Sequence, residues 1–134
     1  MVKKFFRNEK GLTLIELLAV IVILGIIAAI AIPSIGGLIE NSRKDAHIAN
    51  AQQMVNAARL AYTADSTVTE YTLKYLEEKK YLESVKKPGG GQYDKTASKV
   101  VLDDGVWKVT LVSDNKKHID NEDPGKVKRD DVTL

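Results

Sequence analysis

Between Lys10 and Glu40 lie 29 residues with a single charge, Glu16, and within them Leu12 to Ile32 forms a 21-residue stretch that is otherwise uncharged and largely apolar. A bilayer core about 30 Å thick needs about 20 such residues in a helix, so this segment is long enough to span one. Residues 1 to 11 carry Lys3, Lys4, Arg7 and Lys10 against Glu9 alone. A positive leader stays on the cytoplasmic side, which directs the rest of the chain outward. The overall figure of 44% hydrophobic residues hides this segregation, because the sequence from Asp65 onward is charged throughout.

Hydropathy leaves three readings open. A basic start, an apolar core and Ala29-Ile30-Ala31 fit a secretory signal cut after small residues. The same features fit a plain membrane anchor with a soluble head. Neither explains Glu16, since an ionisable side chain at the centre of a spanning helix costs about 2.5–3.5 kcal/mol, and less towards the ends. If the chain is cut between Gly11 and Leu12, Leu12 gains an α-amine one helical turn from Glu16, at the helix end that favours carboxylates. The amine that pairs with Glu16 is then either its own or that of a neighbouring copy. Only the second explains assembly.

The run Lys10-Gly11-Leu12-Thr13-Leu14-Ile15-Glu16, followed by uninterrupted apolar sequence and by Pro33, resembles the class III signal of type IV pilins and pseudopilins, with roughly residues 1 to 60 following the family pattern. The resemblance implies a prepilin peptidase that recognises Gly11, removes residues 1–11 and N-methylates Leu12. It also implies that Glu16 aids recruitment into a homopolymeric filament, and that a membrane platform protein and a cytoplasmic ATPase drive assembly. The implied fold is α+β: a long N-terminal helix packed on a small antiparallel sheet. In domain terms, residues 1–11 are a leader, 12–33 a transmembrane and filament-core helix, 34–63 its amphipathic half, and 64–134 a globular head. The chain would sit in the cytoplasmic membrane with its head outside, in contact with lipid, and later in a surface pilus or pseudopilus.

Pro33 lacks an N–H and crowds the preceding turn, and Gly25, Gly36 and Gly37 each lower helix propensity by about 1 kcal/mol, so the helix is expected to bend or loosen there. In filaments of related pilins the corresponding segment becomes extended, and Gly25 to Pro33 resembles that melting region. Glu40 to His47 has only Ala46 apolar and reads as solvated or facing other subunits. Beyond it, Ile48, Ala51, Met54, Val55, Ala58, Ala61 and Tyr62 recur three and four apart, the spacing of one buried helical face.

In the polar half, Thr67-Val68-Thr69-Glu70 has the form of a capping box, and Leu73 to Leu82 reads as a short helix. Pro88-Gly89-Gly90-Gly91 reads as a turn, because the Lys-Ser or Lys-Thr of a phosphate loop does not follow. Val100 to Leu111 reads as a hairpin about Asp104-Gly105, with Trp107, Val109 and Leu111 on the buried face and Lys108 and Thr110 outward. A head of about 70 residues is marginal alone and needs the helix to complete its core.

No catalytic constellation stands out: His47 and His118 are far apart in sequence, and no serine sits in a nucleophile motif. With no cysteine, thiolate metal sites are excluded. Asp114, Asp120, Glu122 and Asp123 precede Pro124-Gly125 and are calcium candidates by their hard oxygens, resembling the calcium loop of some pseudopilins, but they fit no strict calcium spacing. A solvated acidic turn is the expectation, and no other cofactor is indicated. Without the leader, 16 basic and 17 acidic residues remain. Lys79-Lys80, Lys86-Lys87 and Lys116-Lys117 are diluted by acids, so direct binding of nucleic acid is not expected. The sequence therefore points to a structural filament subunit of a pilus, secretion or competence machine, not an enzyme. The alternative is a secreted or tethered binding module whose N-terminus serves only as signal or anchor.

Overall fold

The computed structural model describes residues 9–134, with side chains from Thr13 onward, so most of the expected leader lies outside the described residues. Helix α1, Glu9–Ala64, is followed by strand β1, Glu70–Thr72, helix α2, Leu73–Glu78, and strands β2, Lys99–Asp103, β3, Val106–Ser113, and β4, Lys116–Glu122; a 3-10 turn, Arg129–Asp131, comes last. The chain divides into two compact units at Ile39/Glu40, within α1.

α1 is an unbroken helix with Pro33 inside it. The segment from Gly25 to Pro33, expected to bend or loosen, keeps its helical backbone in the single chain. Proline removes one hydrogen bond, and helix propagation on both sides, once nucleated, carries the backbone across that gap.

In the second unit, the apolar stripe of α1 is buried as its spacing requires. Ala51, Met54 and Ala58 are fully enclosed, Val55, Ala57 and Ala61 nearly so, and Ile48 and Tyr62 are half-buried. They share one core with Tyr71, Leu73, Leu76, Val85, Tyr93, Val100, Val109, Leu111, Ile119 and Val132. The sheet has the order β1-β2-β3-β4, with every pair antiparallel. The α+β class and the helix-on-sheet packing match the expectation.

The β2–β3 hairpin turns on Asp104 and Gly105, both at positive φ (47° and 80°), as a type I′ turn demands. A second two-residue turn, Asp114-Asn115, also at positive φ, joins β3 to β4. Val109 and Leu111 are buried, and Trp107 is half-buried with its ring edge-on to Tyr62 at 5.6 Å. Thr110 departs from the expected outward position: it is buried, and its hydroxyl accepts from the Asn121 amide at 3.1 Å. The pairing of β3 with β4 slips between Val109 and Leu111 and again between Leu111 and Val112. β4 thus carries extra residues, and Asn121 takes a left-handed φ of 52° there. One consequence is that two consecutive residues, His118 and Ile119, are both buried, which strict alternation forbids for a strand with one buried face.

The capping expectation needs correction. Glu70 is not an N3 residue but opens β1, opposite Val101, and the Thr67 hydroxyl is taken by Asp65 at 2.6 Å. Thr72 caps α2 instead, its hydroxyl accepting from the Tyr75 amide. α2 ends at Glu78, four residues before Leu82, because Lys80 turns the chain at φ 60° and the amides of Tyr81 and Leu82 both return to the Leu76 carbonyl.

Candidate functional site

Two features of the described residues stand apart from ordinary packing. The first is the surface of α1 from Thr13 to Ile39. Leu14, Ile15, Leu17, Leu18, Ile30 and Ile32 are each between 58% and 72% exposed, and the other large apolar side chains of the segment are also exposed. The helix has a mean hydropathy of 3.0 over its most apolar window, none of it buried, and it is long and apolar enough to cross a membrane. Glu16 lies exposed within this segment. A helix apolar on every side needs an apolar environment, from lipid or from neighbouring protein. Gly25, Gly36 and Gly37 have open space where a Cβ would stand, so the absent side chains leave smooth backbone at the surface. The backbone of Gly11 and Leu12 is helical, and of their side chains nothing is described.

The second feature is a buried polar cluster that sequence reasoning missed. His47, expected on a solvated turn, is 1% exposed, and its ring stacks on that of His118 with centroids 4.3 Å apart. Neighbouring polar groups bond Nδ1 of His47 and both ring nitrogens of His118. The Asn50 amide donates to the Tyr93 hydroxyl at 3.1 Å, and that hydroxyl shares a hydrogen bond with Nδ1 of His47, 2.7 Å away. His118 donates from Nδ1 to the Thr133 carbonyl at 2.6 Å and meets the Ser113 hydroxyl through Nε2. Burial, then the field of His118 and that of Lys87, lower the His47 pKa from 6.5 to about 4, and burial pushes Tyr93 up to about 12. The signal available in sequence was weak: one histidine at the polar edge of an apolar helical stripe, and one in a strand that bulges hide from a period-two reading.

The calcium candidates do not converge. Asp114 is an exposed turn residue 4.0 Å from Lys87, Asp120 pairs with Lys117 at 3.0 Å, Glu122 lies in β4 opposite Val109, and Asp123 accepts from the Gly125 amide at 2.9 Å. Among the described residues no group of three or more His, Asp or Glu side chains is placed to hold a metal ion.

Residues 6–32 match the family model described as the prokaryotic N-terminal methylation motif. No curated protein and no solved structure matches the chain.

Proposed function

We propose that this chain is a type IV pilin-like or pseudopilin protein, carrying the class III signal of that group at residues 6–32, and that it is a structural subunit that polymerises through its N-terminal helix into an extracellular filament. The observation that carries the proposal is the coincidence of that signal with a helix whose large apolar side chains are all exposed from Leu14 to Ile39 around Glu16. The motif implies processing by a prepilin peptidase and anchoring in the membrane before assembly. In this reading the cut falls between Gly11 and Leu12, and Leu12 receives the methyl group. The helix first spans the membrane with the sheet-bearing unit outside. An assembly ATPase and a membrane platform then extract it, and the helices of neighbouring copies replace lipid.

Glu16 is the register device of this scheme. Its carboxylate is costly in hydrocarbon unless it meets a cation, and the new α-amine of an adjacent subunit supplies one. Exposed glycine backbone on the same helix allows close approach between copies. The subunit itself performs no chemistry; its product is a polymer.

The mass of the mature protein tests the reading. A chain beginning at Leu12 and heavier by one methyl group is the expected result. A chain beginning at Ile32 overturns it in favour of a secreted module.

A further inference from the structure

Beyond Ile39 the described residues expose only three large apolar side chains, Leu60 at 56% and Tyr75 and Val106 at 37% each. Each has a charge close by in sequence, and the state of that charge separates them. Lys74, beside Tyr75, pairs with Glu78. Arg59, beside Leu60, makes no ion pair among the described residues, and neither does Asp104, two residues before Val106. Asp104 reaches Lys108 only through its field, because that ammonium is taken by Asp103 at 2.8 Å. The two lone charges are opposite in sign, and their settings are opposite in shape. Arg59 belongs to an open cleft of about 310 Å³ whose helix wall is Gln52, Val55, Asn56 and Arg59 and whose facing wall begins at Asp123 and Pro124. Those four α1 residues recur three and four apart, so one line of the helix forms the wall. Arg59 is also the only Lys, Arg, Asp or Glu between Asp45 and Asp65, and loss of charge is the mark of a surface that another protein covers. Asp104 and Gly105, in contrast, form the exposed tip of the β2–β3 hairpin, with nothing within 4 Å of where a Cβ of Gly105 would stand.

We propose that the tip of the β2–β3 hairpin of one copy seats in this cleft of a second copy, with Asp104 on Arg59 and Val106 against Leu60. The guanidinium matches a carboxylate as a planar fork. The side-chain amides of Gln52 and Asn56 offer donors and acceptors to the backbone of the turn, which glycine allows to come close. Asp123, on the facing wall, lies beyond ion-pair distance of Arg59 and accepts from the Gly125 amide at 2.9 Å. Its like charge confines the incoming carboxylate to the Arg59 side. Because the two surfaces differ, the contact is heterologous and, where the rotation does not close a ring, it propagates from copy to copy as a fibre. The contact rests on the filament reading and adds to it a junction between sheet-bearing units. One turn in one cleft is far smaller than a stable interface, so free copies do not pair through it. Copies already held side by side by their helices meet there at a high effective concentration.

The test is disulfide cross-linking in fibres assembled from the full-length chain, which has no cysteine of its own. Leu60→Cys chains co-assembled with Val106→Cys chains should give linked dimers on mild oxidation, and fibres of either alone should give none. Tyr75→Cys in place of Val106→Cys should give none as well. In the mixed fibres, Arg59→Gln and Asp104→Asn should each slow the cross-link about fivefold, and the two together no further than one, since both break the same pair. Both variants keep the fold, because Arg59 is exposed and asparagine suits the positive φ of position 104. Intact fibres in which positions 60 and 106 do not cross-link, cross-linking as fast with Tyr75→Cys, or additive losses from the two charge variants would each overturn this contact and leave the filament reading in place. If no fibres form at all, the filament reading falls and the contact falls with it.

Discussion

Two stretches of one helix, residues 13–39 and 40–64 of α1, use much the same apolar vocabulary of alanine, isoleucine, valine and leucine, and yet end in opposite environments. In the second stretch the apolar positions recur three and four apart, and Ala51, Met54, Val55, Ala58 and Ala61 are buried in the chain's own core. In the first they surround the axis, and every large apolar side chain is exposed. The difference lies in angular distribution as well as in hydropathy: the first stretch carries one charge, Glu16, whereas the second sets Glu40, Arg43, Lys44, Asp45 and Arg59 among its apolar positions. A stripe can be satisfied by one sheet, whereas a helix apolar on all sides exceeds what a domain of this size can cover and draws on lipid or on other helices.

The largest effect should come from the one charge in the first stretch. Glu16→Ala is expected to leave cleavage intact, read as the mass of the mature N-terminus, while abolishing incorporation into fibres. Normal fibres from that variant would remove the role assigned to Glu16. Next in size, Met54→Ala, in the second stretch, should destabilise the compact unit by about 2–5 kcal/mol in denaturant unfolding. Ile23→Ala, in the first, should change that unfolding by no more than about 0.5 kcal/mol. Equal losses at the two positions would break the comparison.

Legibility in sequence followed the same division. In the first stretch the helix and its membrane-length apolar surface were legible, because a long apolar run is a local signal. The stripe of the second stretch and the Asp104-Gly105 hairpin were equally plain, since each depends on residues a few positions apart. The failures came where long-range pairing decided the outcome. Glu70 reads as a helix cap until Val101 pairs opposite it. His118 reads as one of two unrelated histidines until the slipped register of β4 turns it inward onto His47. A bulge shifts the face of every residue beyond it, and nothing in the local composition of Lys116 to Glu122 announces one.

His47 gives the comparison a pH dependence confined to the second unit, as residues 13–39 contain no histidine. Its pKa is about 4 when folded, against 6.5 as the ordinary value, so between these limits the unfolded chain binds the extra proton. Stability is therefore full above about pH 6.5, falls as pH drops towards 4, and levels off below it, with a total loss on the order of 3 kcal/mol from this group. Denaturant midpoints measured across that window should show the slope, and His47→Gln should flatten it. A midpoint independent of pH between 4 and 6.5 in the native chain would mean that the imidazole is not held neutral by its surroundings.

The smallest effect concerns how the 3-10 turn is tied to α1. Arg129 forks onto both oxygens of Asp45 at 2.7 Å, and this bond, with the attached charge, holds the Asp45 carboxyl below the usual range. Both side chains are about half exposed, so water and salt screen the pair. The same segment is also secured by Val132 in the core and by a reciprocal bond, the Thr133 amide to the His118 carbonyl and His118 Nδ1 to the Thr133 carbonyl. Arg129→Gln should therefore lower the unfolding midpoint only slightly, more at low than at high ionic strength, and raise amide exchange locally at Val132 and Thr133. Because Asp45 is depressed, whatever the pair adds is present above about pH 4 and is lost below it, a window distinct from that of His47. If Arg129→Gln instead matched Met54→Ala, the polar turn of α1 rather than its apolar stripe would be what holds the segment in place. The division between a half that packs by its stripe and a half that packs outside the chain would then need a third term.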